Sequence, residues 1–153
     1  MSDAKSILLI DGHDKDRTYY AHRLKVSSPD HTILEAATGE AGLALYSQSI
    51  DCVILELGLP DMSGFDVLCR LVPIGRRPEV PVIVLTTFTH GPLLKVAGMN
   101  GAFAVLQKHT TSGDELDQVV RKAMATIPRD VKKEAAAISS DRVLESEELL
   151  RPF

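Results

Sequence analysis

The segment VILELGLPDMSG, residues 53–64, joins an apolar run to a stretch that contains two glycines and a proline. Val, Ile and Leu without polar alternation are typical of a strand buried on both faces of a parallel sheet. The strand is predicted at residues 52–57, and helical periodicity begins at Gly64. The segment therefore predicts one strand, loop and helix of an α/β fold, with Glu56 as the charged residue near the strand end.

The same alternation extends in both directions along the chain. Four further apolar runs predict strands, at residues 7–10, 32–34, 80–85 and 102–106. Apolar positions that recur with a period of about 3.6 residues predict five helices, at residues 14–27, 39–49, 64–71, 92–99 and 112–127. Five such units with short connections imply right-handed crossovers and an open, doubly wound parallel sheet.

The composition narrows the class of protein. The 153 residues carry 17 basic and 21 acidic side chains, a net charge of -4, with no block of Lys or Arg. This balance disfavours nucleic acid and anionic membranes as partners. No apolar run approaches the roughly 20 residues of a membrane span, and the N-terminus lacks a signal-peptide pattern. Cys52 and Cys69 are too far apart for a CxxC motif. We therefore expect a cytoplasmic protein whose partners are proteins.

Polar side chains follow the apolar cores of four predicted strands. They are Asp11, Glu56, Thr86 and Lys108, after the first, third, fourth and fifth strands. In doubly wound sheets, ligands bind beyond the carboxyl ends of the strands, so we expect these residues to lie together. Two carboxylates, a hydroxyl and an ammonium suit Mg²⁺ and a phosphoryl group. Strand ends of any α/β protein carry polar residues because they meet solvent, but four complementary residues favour a site.

Residues 5–127 resemble the receiver domain of bacterial response regulators. The stretches that carry the resemblance are ILLID at 7–11, VILELGLPDMSG at 53–64, PVIVLT at 81–86, the Gly101-Ala102 pair and Lys108. The resemblance implies a flavodoxin-like (βα)5 fold with strand order 2-1-3-4-5, in which an aspartate after the third strand accepts a phosphoryl group from a histidine kinase with the help of Mg²⁺. The receiver domain is expected at 1–127, and the charged, Ala- and Glu-rich residues 128–153 are expected to form a tail or linker that is either disordered or in part helical.

The resemblance assigns roles by position. Asp11 corresponds to an acidic residue of the metal pocket, and the carbonyl of Gly58 corresponds to a backbone metal ligand. Thr86 corresponds to the hydroxyl that contacts the phosphoryl group, and Lys108 to the lysine that pairs with that group. Glu56 occupies the phospho-acceptor position.

Two departures from the family pattern affect the chemistry. Glu56 stands where the family has aspartate, and its extra methylene adds about 1.5 Å of C–C bond. Because a misplacement of ~1 Å can cost ~10²-fold in rate, phosphorylation is expected to be slow or absent. Glu56 either pairs with Lys108 and imitates the phosphorylated state, or is simply inactive. Gly12 replaces a second acidic ligand, so Mg²⁺ is expected to bind weakly or not at all.

Two further departures affect the surroundings of the lysine. His109 replaces a proline, which predicts a trans peptide bond because a non-proline cis bond costs about 2.5–4 kcal/mol. Val105 replaces the Tyr or Phe whose rotamer reports phosphorylation. In the first loop, His13 is expected to be exposed and Asp14 to cap the first helix.

These features predict a non-enzymatic pseudo-receiver of a two-component phosphorelay, which acts through phosphorylation-independent protein contacts and uses no cofactor. Its partners would be a histidine kinase or a downstream effector, and the face of the fourth helix, fifth strand and fifth helix is the candidate surface for these contacts or for a homodimer. One alternative is a working Mg²⁺-dependent phosphoacceptor receiver with a non-standard site. Another, a flavodoxin-like small-ligand-binding protein, is disfavoured because no glycine-rich phosphate loop follows the first strand.

Overall fold

The structure, a computed structural model, describes residues 4–127. Five strands form one parallel sheet in the order β2-β1-β3-β4-β5. The strands are β1 (Ser6–Ile10), β2 (Thr32–Ala36), β3 (Cys52–Leu55), β4 (Val82–Thr86) and β5 (Ala104–Gln107). The expected α/β fold and its strand order 2-1-3-4-5 are confirmed.

One helix follows each strand. The helices are α1 (Asp14–Ser27), α2 (Gly39–Leu45), α3 (Gly64–Leu71), α4 (Gly91–Met99) and α5 (Gly113–Thr126). A single 3-10 turn, Lys108–Thr110, separates β5 from α5. Ser112 caps α5, and its hydroxyl accepts a hydrogen bond from the Glu115 N–H at 3.1 Å. This satisfies one of the backbone donors that a helix N-terminus leaves free.

The central strands β1, β3 and β4 are buried on both faces, as their apolar sequences predict, whereas the edge strands β2 and β5 are only partly buried. Alternate residues of each strand point to opposite faces, so Ile7 and Ile54 pack with α1 and α5, whereas Leu8 and Val53 pack with α2, α3 and α4. Two apolar layers therefore enclose the sheet and leave its carboxyl edge as the place where polar side chains collect.

Two predicted elements end at least two residues earlier than expected. Helix α2 ends at Leu45 instead of residue 49, and Tyr46 is extended. The hydroxyl of Ser47 accepts from the Ser49 N–H, and its carbonyl accepts from the Ile50 N–H. Serine side chains that bond to nearby backbone groups compete with the helix. Strand β3 ends at Leu55 instead of residue 57, because the chain turns at Glu56 into the loop that begins α3.

Three further features concern other parts of the chain. Cys52 is buried and Cys69 is exposed. Among residues 4–127, no helix has the length and apolar character required to cross a bilayer. The charged tail or linker expected at 128–153 lies outside the described residues.

Candidate functional site

The four polar residues at the strand ends lie together at the carboxyl edge of the sheet. Asp11 and Glu56 directly follow the neighbouring strands β1 and β3, Thr86 ends β4, and Lys108 directly follows β5. Three of these side chains are almost fully buried, and Lys108 is 8% exposed. Charged groups at this depth require partners, because burial of an unpaired charge is costly.

Lys108 is held by two carboxylates. Its Nζ lies 2.7 Å from Asp11 Oδ2 and 2.9 Å from Asp16 Oδ2. Burial lowers the pKa of Lys108, but the hydrogen bonds to Asp11 and Asp16 and the charges of Asp11 and Glu56 outweigh it, so the pKa lies above its ordinary value. The carbonyl of Lys108 accepts a hydrogen bond from the Tyr20 hydroxyl at 3.2 Å. Helix α1 therefore fixes both the backbone and the ammonium of this lysine.

The sequence did not single out Asp16 as a site residue. Its position gives a signal, because α1 begins directly above the carboxyl end of β1 and Asp16 lies in the first turn of that helix. An acidic residue in this turn can face the strand ends, as helix N-termini do in doubly wound sheets.

Glu56 is not one of the carboxylates that bind the ammonium of Lys108. Its Oε1 accepts hydrogen bonds from the Thr87 hydroxyl at 3.1 Å and from the Thr87 N–H at 3.4 Å. Its Oε2 is buried and has no hydrogen-bond partner among the described residues. The pair between Glu56 and Lys108, one of the two expected behaviours of this glutamate, is therefore not present. Asp11 and Asp16 occupy the ammonium instead.

Thr86 and Gly58 both contact Phe88, which lies in the loop between β4 and α4. The Thr86 hydroxyl accepts from the Phe88 N–H at 3.1 Å. The ring of Phe88 lies so close to Gly58 that an added Cβ would come within 3.2 Å of it. The Gly64 N–H donates to the Leu57 carbonyl at 2.9 Å, and this contact closes the loop. A side chain at position 58 would therefore require the Phe88 ring to move by a few tenths of an ångström.

The first loop is organised around Asp11. Asp11 Oδ1 accepts from the His13 N–H at 2.9 Å and lies 3.1 Å from His13 Nδ1. Arg17 donates to the Asp11 carbonyl at 2.7 Å. The expectation that Asp14 caps α1 is wrong: His13 is the N-cap and makes no side-chain cap bond, whereas Asp14 pairs with Arg17 at 2.7 Å. His13 is half exposed, as expected for a loop, but it contacts the buried carboxylate.

The sequence matches a known protein family. Residues 7–121 match the family model of the response regulator receiver domain. The chain belongs to this family. It is a receiver domain of the two-component response-regulator type, and the protein partners of such domains are histidine kinases and effectors.

Named relatives agree with this assignment. The transcriptional regulatory protein KdpE of Mycobacterium tuberculosis is 32% identical over 142 residues, which cover 92% of this chain and 58% of KdpE. AfsQ1 of Streptomyces coelicolor, also a transcriptional regulatory protein, is 40% identical over 82 residues, or 53% of this chain and 34% of AfsQ1. The receiver domain thus spans from about a third to three fifths of these relatives. A receiver domain from Clostridium thermocellum is 28% identical, with a TM-score of 0.68 over 80% of this chain and 95% of the other.

This receiver offers fewer side-chain oxygen ligands than the family's Mg²⁺ site implies, and Mg²⁺ needs near-octahedral oxygen coordination. Gly12 supplies no side chain, and a Cβ there would lie 2.9 Å from Pro60 Cδ, so an acidic residue would require the loop to shift. Both oxygens of Asp11 are already used, one by His13 and the other by Lys108. What remains is a site in which an ammonium occupies the position between the carboxylates.

The neighbourhood of Lys108 also departs from the family pattern. The described residues contain no cis peptide bond, so the expected trans bond before His109 is confirmed. His109 lies in the 3-10 turn that follows β5. Val105 is partly buried and packs against the core, and it provides no ring at the position of the family's aromatic reporter.

Proposed function

We propose that this receiver is a pseudo-receiver, which signals through protein contacts without phosphorylation. The observation that carries the proposal is the placement of the buried ammonium of Lys108. Lys108 lies between Asp11 and Asp16, whereas the residue at the acceptor position, Glu56, bonds to Thr87. The two groups that a phosphoryl transfer must bring together are thus each engaged elsewhere.

Several features oppose transfer to Glu56. Its Oε1 is held by Thr87, and its Oε2 is enclosed. The chain also lacks a carboxylate at Gly12, so Mg²⁺ is expected to bind weakly or not at all, because this ion is held mainly by carboxylates and water. In-line attack needs the acceptor, the metal and the lysine in register, and an error of ~1 Å can lower the rate by ~10²-fold.

An exposed apolar surface supports action through protein contacts. Leu93, Val96 and Met99 of α4 and Phe103 before β5 are 40, 43, 76 and 41% exposed. Apolar side chains grouped on one surface favour association with another protein. This surface belongs to the face of α4, β5 and α5, and a homodimer or an effector is the proposed occupant.

The test is the intact mass of the full chain after incubation with acetyl phosphate and Mg²⁺. We expect the wild-type mass to stay unchanged. The variant Glu56→Asp should gain a phosphoryl group in part of the population, because it restores the shorter acceptor. The double variant Glu56→Asp/Asp16→Asn should gain it in a larger part, because Lys108 then loses one of its two carboxylate partners.

The variant Glu56→Gln separates the pseudo-receiver from the alternative, a working receiver with a non-standard acceptor. Glutamine keeps the length of the side chain but cannot form the acyl phosphate. A wild type that gains mass while Glu56→Gln does not would establish Glu56 as an acceptor and overturn the proposal. Far-UV circular dichroism of each variant checks that the fold is retained.

A further inference from the structure

The carboxyl edge also holds a donor set that differs from the Mg²⁺ ligands that the family resemblance implies. One ligand atom each from Asp11, His13 and Asp16 lies within 4.8 Å of the others. Asp11 Oδ1 and His13 Nδ1 are already 3.1 Å apart. Both His13 and Asp16 belong to the start of α1, so one helix turn brings two donors to the buried carboxylate of β1.

The types of these donors select a class of metal. An imidazole nitrogen with two carboxylate oxygens is typical of zinc and its neighbours in the transition series, whereas Mg²⁺ takes oxygen only. Zn²⁺ binds such ligands at about 2.0–2.2 Å. The side chains of His13 and Asp16 are 53 and 41% exposed, so they have room to close around an ion.

The charge balance of the pocket favours a divalent cation. Three carboxylates, Asp11, Asp16 and Glu56, share the edge with the ammonium of Lys108, and the nearby guanidinium of Arg17 is paired with Asp14 and Glu35. The Glu56 N–H donates to the Ile10 carbonyl at 2.9 Å, which places Glu56 directly beside Asp11. Its Oε2 is 99% buried with the rest of the residue and has no partner among residues 4–127. An uncompensated buried carboxylate at this position is a costly feature that additional positive charge would relieve.

We propose that Asp11, His13 and Asp16 form a binding site for a divalent cation of the zinc class, and that the ion displaces Lys108 Nζ towards the unpartnered oxygen of Glu56. The site differs from the Mg²⁺ site that the family resemblance implies, because it uses His13 and Asp16 and does not need an acidic residue at Gly12. The zinc site is independent of the proposed function, because the absence of phosphorylation neither requires nor prevents zinc binding.

The test is calorimetric titration of the chelator-treated full chain with ZnCl₂ and, in parallel, with MgCl₂, near neutral pH. We expect one Zn²⁺ per chain and little heat from Mg²⁺. The variant His13→Ala should lower the Zn²⁺ affinity at least about 10-fold, since loss of even an indirect contact to a metal costs that much. The matched control is His22→Ala, an exposed histidine on the same helix, which should bind Zn²⁺ like the wild type.

Lys108→Met provides a second measurement, because removal of the competing ammonium should raise the Zn²⁺ affinity. Asp16→Asn should lower the Zn²⁺ affinity. Because this variant keeps the Lys108–Asp11 pair, it provides the test if Lys108→Met does not fold. Equal Zn²⁺ affinities of the wild type and His13→Ala would overturn the proposal, as would the absence of Zn²⁺ binding to the wild type. The acetyl phosphate experiment does not depend on either result.

Discussion

The carboxyl edge of the sheet has two sides that differ in how completely their charges are paired. On the lysine side, Asp11 and Asp16 both bind the ammonium of Lys108. On the glutamate side, Glu56 has one oxygen bonded to Thr87 and the other buried without a hydrogen-bond partner among residues 4–127. Asp11 and Glu56 follow the adjacent strands β1 and β3, so the difference in pairing arises between two neighbouring carboxylates.

This comparison shows what one acidic residue on a helix can do to a neighbouring site. Asp16 is partly exposed and close to solvent, yet its carboxylate supplies the second contact to the lysine. Two carboxylates against one ammonium make the lysine side the better paired location. The acceptor position is left with a hydroxyl donor, which compensates a buried charge less well than an ammonium would.

The largest effect is expected from Lys108→Met, which removes the cation from the lysine side. Asp11 would then be a buried carboxylate without its opposite charge, and loss of one partner of a buried pair costs about 3–5 kcal/mol. Urea unfolding followed by circular dichroism measures the free energy of unfolding. Lys122→Met, on the exposed side of α5, is the control. Equal losses in the two variants would show that Lys108 is not the centre of a paired site.

Thr87→Val should have the next largest effect, because it removes the hydroxyl donor of the glutamate side. A hydrogen bond to a charged group contributes about 1.5–3 kcal/mol, and the Thr87 N–H at 3.4 Å only partly replaces it, so the free energy of unfolding should fall by up to that amount. Thr89→Val changes an exposed threonine in the same loop and should be nearly neutral. If both variants unfold at the same urea concentration as the wild type, the Thr87–Glu56 bond contributes nothing to stability. Glu56 would then be even less well compensated relative to Asp11.

Asp16→Asn should cost less, about 0.5–1 kcal/mol, because this carboxylate is partly exposed and its pair is screened by water. In the Lys108→Met background the same substitution should cost nothing or should stabilise the protein, since like charges then face each other. A double-mutant cycle of the four proteins measures this coupling. Additive losses would mean that Asp16 does not act through Lys108.

The smallest effect concerns pH. The pKa of Lys108 is raised above its ordinary value of 10.5 in the folded chain, so its pairing stabilises the fold fully below that value and is lost as the pH rises through the folded pKa. Above pH 10.5 the wild type should therefore lose stability more steeply than Lys108→Met, with the tyrosines common to both. Parallel slopes in urea unfolding between pH 9 and 12 would contradict the raised pKa.

The sequence predicts the sheet well because the central strands are unbroken apolar runs. Its errors have local causes. The serines after Leu45 end α2 through side-chain hydrogen bonds that periodicity does not register. The polar residues at the carboxyl edge are predictable because parallel strands end together.

The partners of those polar residues are less predictable. Lys108 and Asp16 are 92 positions apart, and their contact depends on how α1 is rotated above the sheet. The sequence allows Lys108 to pair with Glu56, whereas in the structure the ammonium binds Asp11 and Asp16. The choice between these pairings rests on side-chain reach within the folded core, which no local pattern encodes.

The hydrogen bond from Tyr20 to the Lys108 carbonyl gives the protein a built-in optical probe. The chain contains three tyrosines and no tryptophan, so tyrosine emission is not masked. Tyr19 and Tyr20 stack edge to face with ring centroids 5.1 Å apart, and two of the three emitters therefore lie beside the lysine. Any ligand, partner or substitution that moves Lys108 changes the surroundings of these rings, and near-ultraviolet spectra of the unlabelled protein can follow it in real time.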